Sequence, residues 1–326
     1  MVNKKSMNLR RRMEDRELKR GTPLTYDEVL DFHLALREVY GVGKNERDFF
    51  ARFTPRSQEP KGGTRSYVRR RGDAPSIPSE PTRLVILEDR APYLIIKGDS
   101  FHPLAVSLHK IGYSPEVHLV VKHLGLKLSN TAKELDGTPY IGNVTWDDAI
   151  RLNKSLGNVT LSPYYFFKFY KTLDDAAEGR IDVLDETNRP VNQGIFIVAR
   201  DEIVGPTKDF RGEWLYARFS KKGNLLYINH PIIAPAGKIK ETTEPLSSDT
   251  LMSNRQISLE EFLSNPTSQG MPRKGSSEGD LYYWAPTDGA VVGLFAVSGG
   301  ASLDCSWGPR SSNAAFGVRS AKILER

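Results

Sequence analysis

The side chains able to do chemistry are few. The chain has one cysteine, Cys305, and six histidines. A cysteine becomes a nucleophile only beside a base that lowers its pKa, and the nearest histidine in sequence is His230. Cys305 therefore reads as a small side chain on a sheet. His109, His118 and His123 fall within fifteen residues. His118 and His123 are five apart, which on a helix turns them about 140° from each other. The HExxH arrangement, with two imidazoles on one face, is missing, and these histidines read as surface or half-buried. Asp147–Asp148 and Asp174–Asp175 are pairs of the kind used in acid–base work. The first sits where a helix N-terminus favours negative charge, and the second has no partner in sequence. A single cysteine excludes an intrachain disulfide, a Cys-based zinc site and a CxxC redox pair. No GxGxxG or GxxxxGK[ST] phosphate cradle occurs. The residues give no catalytic group, no metal site and no cofactor, so the expectation is a protein that is not an enzyme.

Charge is unevenly placed. Residues 1–80 hold 18 Lys/Arg against 12 Asp/Glu, whereas the remainder holds 28 of each. The basic pI of about 9.2 therefore belongs to the N-terminal segment. RRMEDRELKR and VRRRGD suit an acidic partner or a nucleic acid, with Tyr67 near the RRR run to stack on a base. A solvated arm explains the same composition. No apolar run approaches the length of a membrane helix, and the N-terminus lacks the apolar core of a signal peptide. The expected location is cytoplasmic or virion-associated, with no membrane span.

The elements follow from punctuation and period. Thr25 and Glu28 make a capping-box pattern for a helix over 25–41. Five prolines, three glycines and RRR between 54 and 82 mark a linker. This divides the chain into a basic helical segment 1–53, a linker 54–82 and a main domain 83–326. RLVILED (83–89) and PYLIIKG (92–98) read as strands. Ser114, Pro115 and Gly125 bound one helix, and Thr145 and Gly157 a second. A third begins at Ser162–Pro163. Its Tyr165, Phe166, Phe169 and Tyr170 recur at helical spacing, as a core stripe more readily than a binding one. GLKLSNT reads as strand and turn. GIFIVARD (194–201), EWLYARFS (213–220) and GNLLYINH (223–230) alternate like strands, with KKG turning between the last two. ISLEEFLSN carries a capping box. DLYYWAP, VVGLFAV, ASLDC and AFGVRSAKI (315–323) are expected to complete an antiparallel sheet. The class is α+β.

The last sheet contains an odd stretch. GLFAVSGGASLDCSWGPRSSNAA (293–315) has small and polar residues between strand-like ends and contains no Lys, Glu, Gln or Met. Ordinary composition would give about four or five of these. A glycine- and serine-rich sheet edge would lack them too.

VTWDDAIRLNKSLGNVTLSP, EWLYARF…LYINH and LYYWAP…CSWGPRSSNAAFGVRSAKI together resemble the C-type-lectin fold of formylglycine-generating-enzyme-like domains. The resemblance spans roughly 85–326, and the closing Phe316, Gly317, Val318 and Arg319 match its final GxR strand. It implies antiparallel sheets with two flanking helices and long loops. Within that group the chain is similar to the variable proteins of diversity-generating retroelements. In those proteins template adenines are mutated, typically at AAC or AAT codons, which cannot yield Lys, Glu, Gln, Met or Trp. The resemblance implies a receptor- or adhesion-type binding protein with a variable region at 293–315. Its contact residues would be Ser298, Gly299, Ala301, Ser302, Asp304, Ser306, Ser311, Ser312, Asn313 and Ala314. Phe295, Leu303, Trp307, Phe316 and Val318 would form the scaffold, with Tyr283 and Trp284 bordering the surface or packed in the core. The ligand would be a protein or surface at the C-terminal face. The cysteine thiolates of formylglycine generation and the EPN, QPD and WND calcium motifs of sugar-binding lectins are missing. Two other readings stay open: a structural protein acting on a partner or nucleic acid through its basic arm, and an enzyme of the same superfamily with an unrecognised site.

Overall fold

A computed structural model describes residues 81–324, apart from 88–90, 99, 127–129, 206–209 and 298–299. The segment 1–53, its helix over 25–41 and the linker up to residue 80 lie outside the described residues. Thr82, expected to end the linker, already belongs to the first strand.

In chain order the elements are β1 (Thr82–Ile86), β2 (Pro92–Gly98), β3 (Phe101–Lys110), α1 (Pro115–His123), β4 (Asn130–Lys133), β5 (Pro139–Gly142), α2 (Trp146–Ser155), α3 (Pro163–Ala177), β6 (Val183–Leu184) and α4 (Gln193–Val204). There follow β7 (Arg211–Lys222), β8 (Leu225–Ile233), β9 (Ile239–Pro245), β10 (Arg255–Ile257), α5 (Leu259–Ser264), β11 (Leu281–Trp284), β12 (Val291–Val297), β13 (Gly300–Trp307), β14 (Phe316–Gly317) and β15 (Arg319–Ile323). The class is α+β, with five helices among the described residues rather than two. No described helix is long and apolar enough to cross a membrane.

Local chemistry sets the helix ends. Ser114 Oγ accepts from Val117 N at 3.2 Å, and Thr145 Oγ1 accepts from Asp148 N at 3.2 Å, each satisfying an orphan donor of the first turn. Gly125 (φ 64°) and Gly157 (φ 70°) follow these two helices in the left-handed conformation that releases the chain. Ser162 precedes α3, but its buried hydroxyl makes no hydrogen bond. Burial holds that helix instead: Tyr165, Phe166, Phe169 and Tyr170 all lie in the core.

Three sequence expectations are corrected. Residues 194–201 form part of helix α4, not a strand. Asn192 Oδ1 accepts from Gly194 N at 2.8 Å to cap it. The buried Phe196, Ala199 and Ile203 recur with the helical period, which outweighs the β-branched composition. The C-terminal sheet is not wholly antiparallel: β11 pairs parallel with β13, and β14 parallel with β7. AFGVRSAKI is not one strand either. Its Phe316–Gly317 part joins the large sheet and its Arg319–Ile323 part joins a different one.

The two main sheets run β15-β3-β2-β1-β6 and β10-β11-β13-β12-β7-β8-β9, with β14 beside β7. The period of two along a strand sends alternate side chains to opposite faces. On one face of the large sheet Leu215, Phe219, Leu294 and Leu303 meet Phe166 and Phe169 of α3, Phe196 of α4 and Leu94 and Val106 of the smaller sheet in one core. On the other, Trp214 and Val291 pack with Val117 of α1, Trp146 and Leu152 of α2, and Phe316 in a second core. Residues 316–323 thus touch both cores.

Candidate functional site

The outer face of β11 and β13 carries three of the ten sequence-predicted contact residues, Ser302, Asp304 and Ser306. In register, Tyr282 stands beside Ser302 and Trp284 beside Asp304. Across the next strand Ser302 faces Phe295 and Asp304 faces Gly293. Leu281, Tyr283, Ala301, Leu303 and Cys305 alternate with these and point into the core. Ala301 and Ser302 are therefore corrected: both are buried, Ala301 because it faces the core. Ser302 is covered by the indole of Trp284, whose Nε1 donates to its hydroxyl at 3.1 Å. Tyr283 is buried as well and donates its hydroxyl to Leu251 O at 2.9 Å. Trp284 and Tyr282 are exposed, at 43% and 39%; the sequence reading had not singled out Tyr282.

Asp304 is half-buried, and its Oδ1 accepts from Ser306 N at 2.8 Å and from Ser306 Oγ at 2.7 Å. This bond spans a register shift, where Val291 pairs with Trp307 but Gly293 with Asp304, so the carboxylate holds a bulge in β13. Ser306 is exposed. Ser298 and Gly299 lie outside the described residues.

Ser311, Ser312, Asn313 and Ala314 form the loop between Trp307 and β14, with Ser312 and Ala314 exposed and the other two half-buried. Main-chain carbonyls anchor this loop. Asn143 N donates to Asn313 O at 3.1 Å, and Phe316 N donates to the same oxygen at 2.9 Å. Gly212 N and Tyr140 Oη donate to Ala315 O at 3.1 and 2.7 Å. One of the loop's own side chains also takes part: Asn313 Oδ1 accepts from Ala315 N at 2.9 Å. Of the scaffold residues, Phe316 and Val318 are buried in the second core with the half-buried Phe295 and Trp307 packed against it, whereas Leu303 is buried in the first core on the opposite face of the sheet. The Phe316 ring centre is 4.3 Å from that of Trp214, 5.1 Å from Trp307 and 5.5 Å from Phe210. It rests on the backbone of Gly212 and Gly293, where a Cβ would come within about 3 Å of the ring.

Titratable groups converge elsewhere, between the two main sheets. Lys110 of β3 bonds Glu202 of α4 at 2.5 Å, and Glu202 also accepts from Leu135 N at 2.8 Å. Arg211 lies 3.5 Å from Glu202. Arg319 of β15 grips Glu213 of β7 with two nitrogens, at 3.1 and 3.2 Å, and donates to Ser107 O at 2.9 Å. Glu134 accepts from Lys110 N at 2.8 Å and pairs with His109 at 2.5 Å. All but His109 are buried. Three carboxylates and three permanent cations balance, as groups removed from water must. Cys305, also buried, has its thiol pushed up by burial and packs as a core side chain. His118 and His123 are exposed on α1, and Asp147–Asp148 open α2. Asp174 and Asp175 have a partner that sequence did not show, Arg180.

His109, Glu134 and Asp136 come within metal-ligating distance of one another. Their oxygens are already engaged, Glu134 by His109 and Lys110 N and Asp136 by Thr138 N and Oγ1, and Lys110 Nζ stands 3.8 Å from Glu134. The arrangement is an ion pair facing a cation.

That pair gives a pH dependence. Burial opposes charge on both groups. The bond between them, with Lys110 beside Glu134 and Asp136 beside His109, outweighs burial, holding Glu134 down to about 2 and His109 above its usual 6.5. The Glu134 contribution to stability is present above the ordinary carboxylate value of 4.5 and is lost as pH falls toward 2. The His109 contribution is whole below 6.5 and is lost as pH rises through the raised value. Burial lowers His230, whose contribution runs the other way. The stability difference between the unaltered chain and His109→Gln isolates the pair. It is expected to be largest between about pH 5 and 6 and to shrink on the alkaline side. Urea unfolding across pH 5–9 measures it, and a flat difference overturns the assignment.

The chain matches no protein-family model, no curated protein and no solved structure.

Proposed function

We propose that this is a non-enzymatic binding protein. Its ligand surface is the C-terminal face, carried on a C-type-lectin-like scaffold and rewritten by a retroelement. The observation that carries the reading is how the 308–315 loop is held: mostly by main-chain carbonyls, over a buried aromatic frame, with Ser312 and Ala314 turned to solvent. A carbonyl bonds equally well whatever side chain its residue bears, so the loop keeps its path while its surface chemistry changes. Exposed substitutions of this kind cost under about 0.5 kcal/mol. The exposed Tyr282 and Trp284 supply the residue types that dominate binding energy, beside small positions that set specificity. The balanced ion pairs between the sheets favour this reading over catalysis, because their acceptors are spent on one another.

Sequencing this gene across many members of one population tests the proposal. Non-synonymous changes are expected at the codons for Ser298, Gly299, Asp304, Ser306 and Ser311–Ala314, and at template adenines. The buried Ala301 and Ser302 are expected to stay quiet. Codons 298–314 no more variable than the rest of the gene would overturn retroelement diversification.

A further inference from the structure

The same face says something about what it holds. We infer that the outer face of β11 and β13, in the version carried by this chain, takes a cationic group, the guanidinium or ammonium of an Arg or Lys side chain on a partner protein. This rests on the proposal that the C-terminal face is the ligand surface.

Two exposed rings and one carboxylate share this patch. Tyr282 and Trp284 follow each other on the outer side of β11, and Asp304 is the direct cross-strand neighbour of Trp284. Neighbouring strands lie about 5 Å apart, so a group resting on the indole lies within reach of the carboxylate. The bond from Trp284 Nε1 to Ser302 Oγ fixes the ring. On the other side of Asp304 stands Gly293, whose backbone is covered by the Phe316 ring, so a ligand reaches the carboxylate from the β11 side.

The patch is also short of positive charge. Among the described residues a Lys or Arg of the chain itself covers the rings of Tyr93, Tyr140, Tyr164, Phe169 and Tyr227. None covers Tyr282 or Trp284, and none pairs with Asp304. One oxygen of Asp304 serves Ser306, which leaves the other for a ligand. A planar guanidinium satisfies both features at once: it stacks on the indole through its π face and donates to the carboxylate in its plane. Each contact is weak alone, so the patch suits one anchoring residue of a larger interface rather than a free amino acid held tightly.

The test follows the Trp284 indole N–H resonance of the full chain, assigned by its loss in Trp284→Phe. The probes are acetyl-Gly-Arg-Gly-amide and its neutral isostere with citrulline in place of arginine. The arginine peptide is expected to shift the resonance saturably and at least tenfold more tightly than the citrulline peptide, and added salt should weaken it. Asp304→Asn should weaken the arginine peptide about tenfold while leaving the citrulline peptide unchanged. The amide oxygen can still accept from Ser306, so this variant keeps the bulge and its unfolding midpoint. Equal affinity for the two peptides would mean an uncharged, stacking ligand and would overturn the inference, as would an unmoved resonance. The outcomes separate from the proposal above: variable codons with no arginine preference sink only the cationic ligand, whereas arginine binding with quiet codons sinks only diversification.

Discussion

Arg319→Met is expected to destabilise the fold by about 3–5 kcal/mol, the usual consequence of leaving a buried charge without its partner. Arg319 and Glu213 are both nearly inaccessible and face each other in a two-bond fork. They join β15 of the smaller sheet to β7 of the larger, and the guanidinium lies 5.4 Å from the Phe169 ring centre in the core between them. Removing Arg319 strands Glu213 in that core and frees Ser107 O. Glu213→Leu added to Arg319→Met removes the stranded charge and is expected to restore most of the loss, because a well-packed apolar pair is often as stable as a buried ion pair. Arg319→Lys restores charge without the fork and should fall between the two. Urea unfolding of the three variants measures this. A single variant costing under about 1 kcal/mol, the value of an exposed pair, would show that the bridge does not carry the contact between the sheets.

What could be read in advance of the structure follows from how far each signal reaches along the chain. Helices α1 and α2 were legible because their caps lie within three residues of the groups they satisfy: Ser114 with Val117, Thr145 with Asp148. Helix α4 was not, although Asn192 caps it, since Ile195, Phe196, Ile197 and Val198 favour a strand locally and the burial of Phe196, Ala199 and Ile203 at helical spacing outweighs them. Strand β3 went unread. Pro103 argues against a central strand, and it is accommodated beside a register shift between β2 and β3. The ionic cluster was invisible for a different reason. His109 meets Glu134 across 25 residues, Lys110 meets Glu202 across 92 and Arg319 meets Glu213 across 106. No spacing rule operates at such separations. The one available hint was charge inside apolar strands, as in SLHKI and RGEWL. The surface was half legible: alternation in β13 places Asp304 and Ser306 outside, but Ser302 lies on that same side and is buried by Trp284, a neighbour in space only.

A sharper consequence concerns the C-terminal region itself, where substitutions are expected to fall into separate classes. Phe316→Ala should cost about 3–5 kcal/mol, the range for emptying a buried aromatic site. The ring touches Trp214, Trp307 and Phe210 and closes on the backbone of Gly212 and Gly293, which have no side chains to fill the space. For a domain whose whole stability is about 5–15 kcal/mol, that leaves little. Ala301→Phe should cost about 1–3 kcal/mol by overpacking. Changes at Ser306, Ser312 and Ala314 should stay within about 0.5 kcal/mol. Asn313 should fall between, since its Oδ1 holds Ala315 N and an Ala there loses one bond, about 1 kcal/mol. Measured as urea midpoints over this set, the classes separate the frame from what it displays. If Ser312 or Ala314 proved as costly as Phe316, loop path and loop sequence would be coupled. A surface rewritten at those positions would then fail to fold in most of its versions, and the binding reading would lose its physical basis.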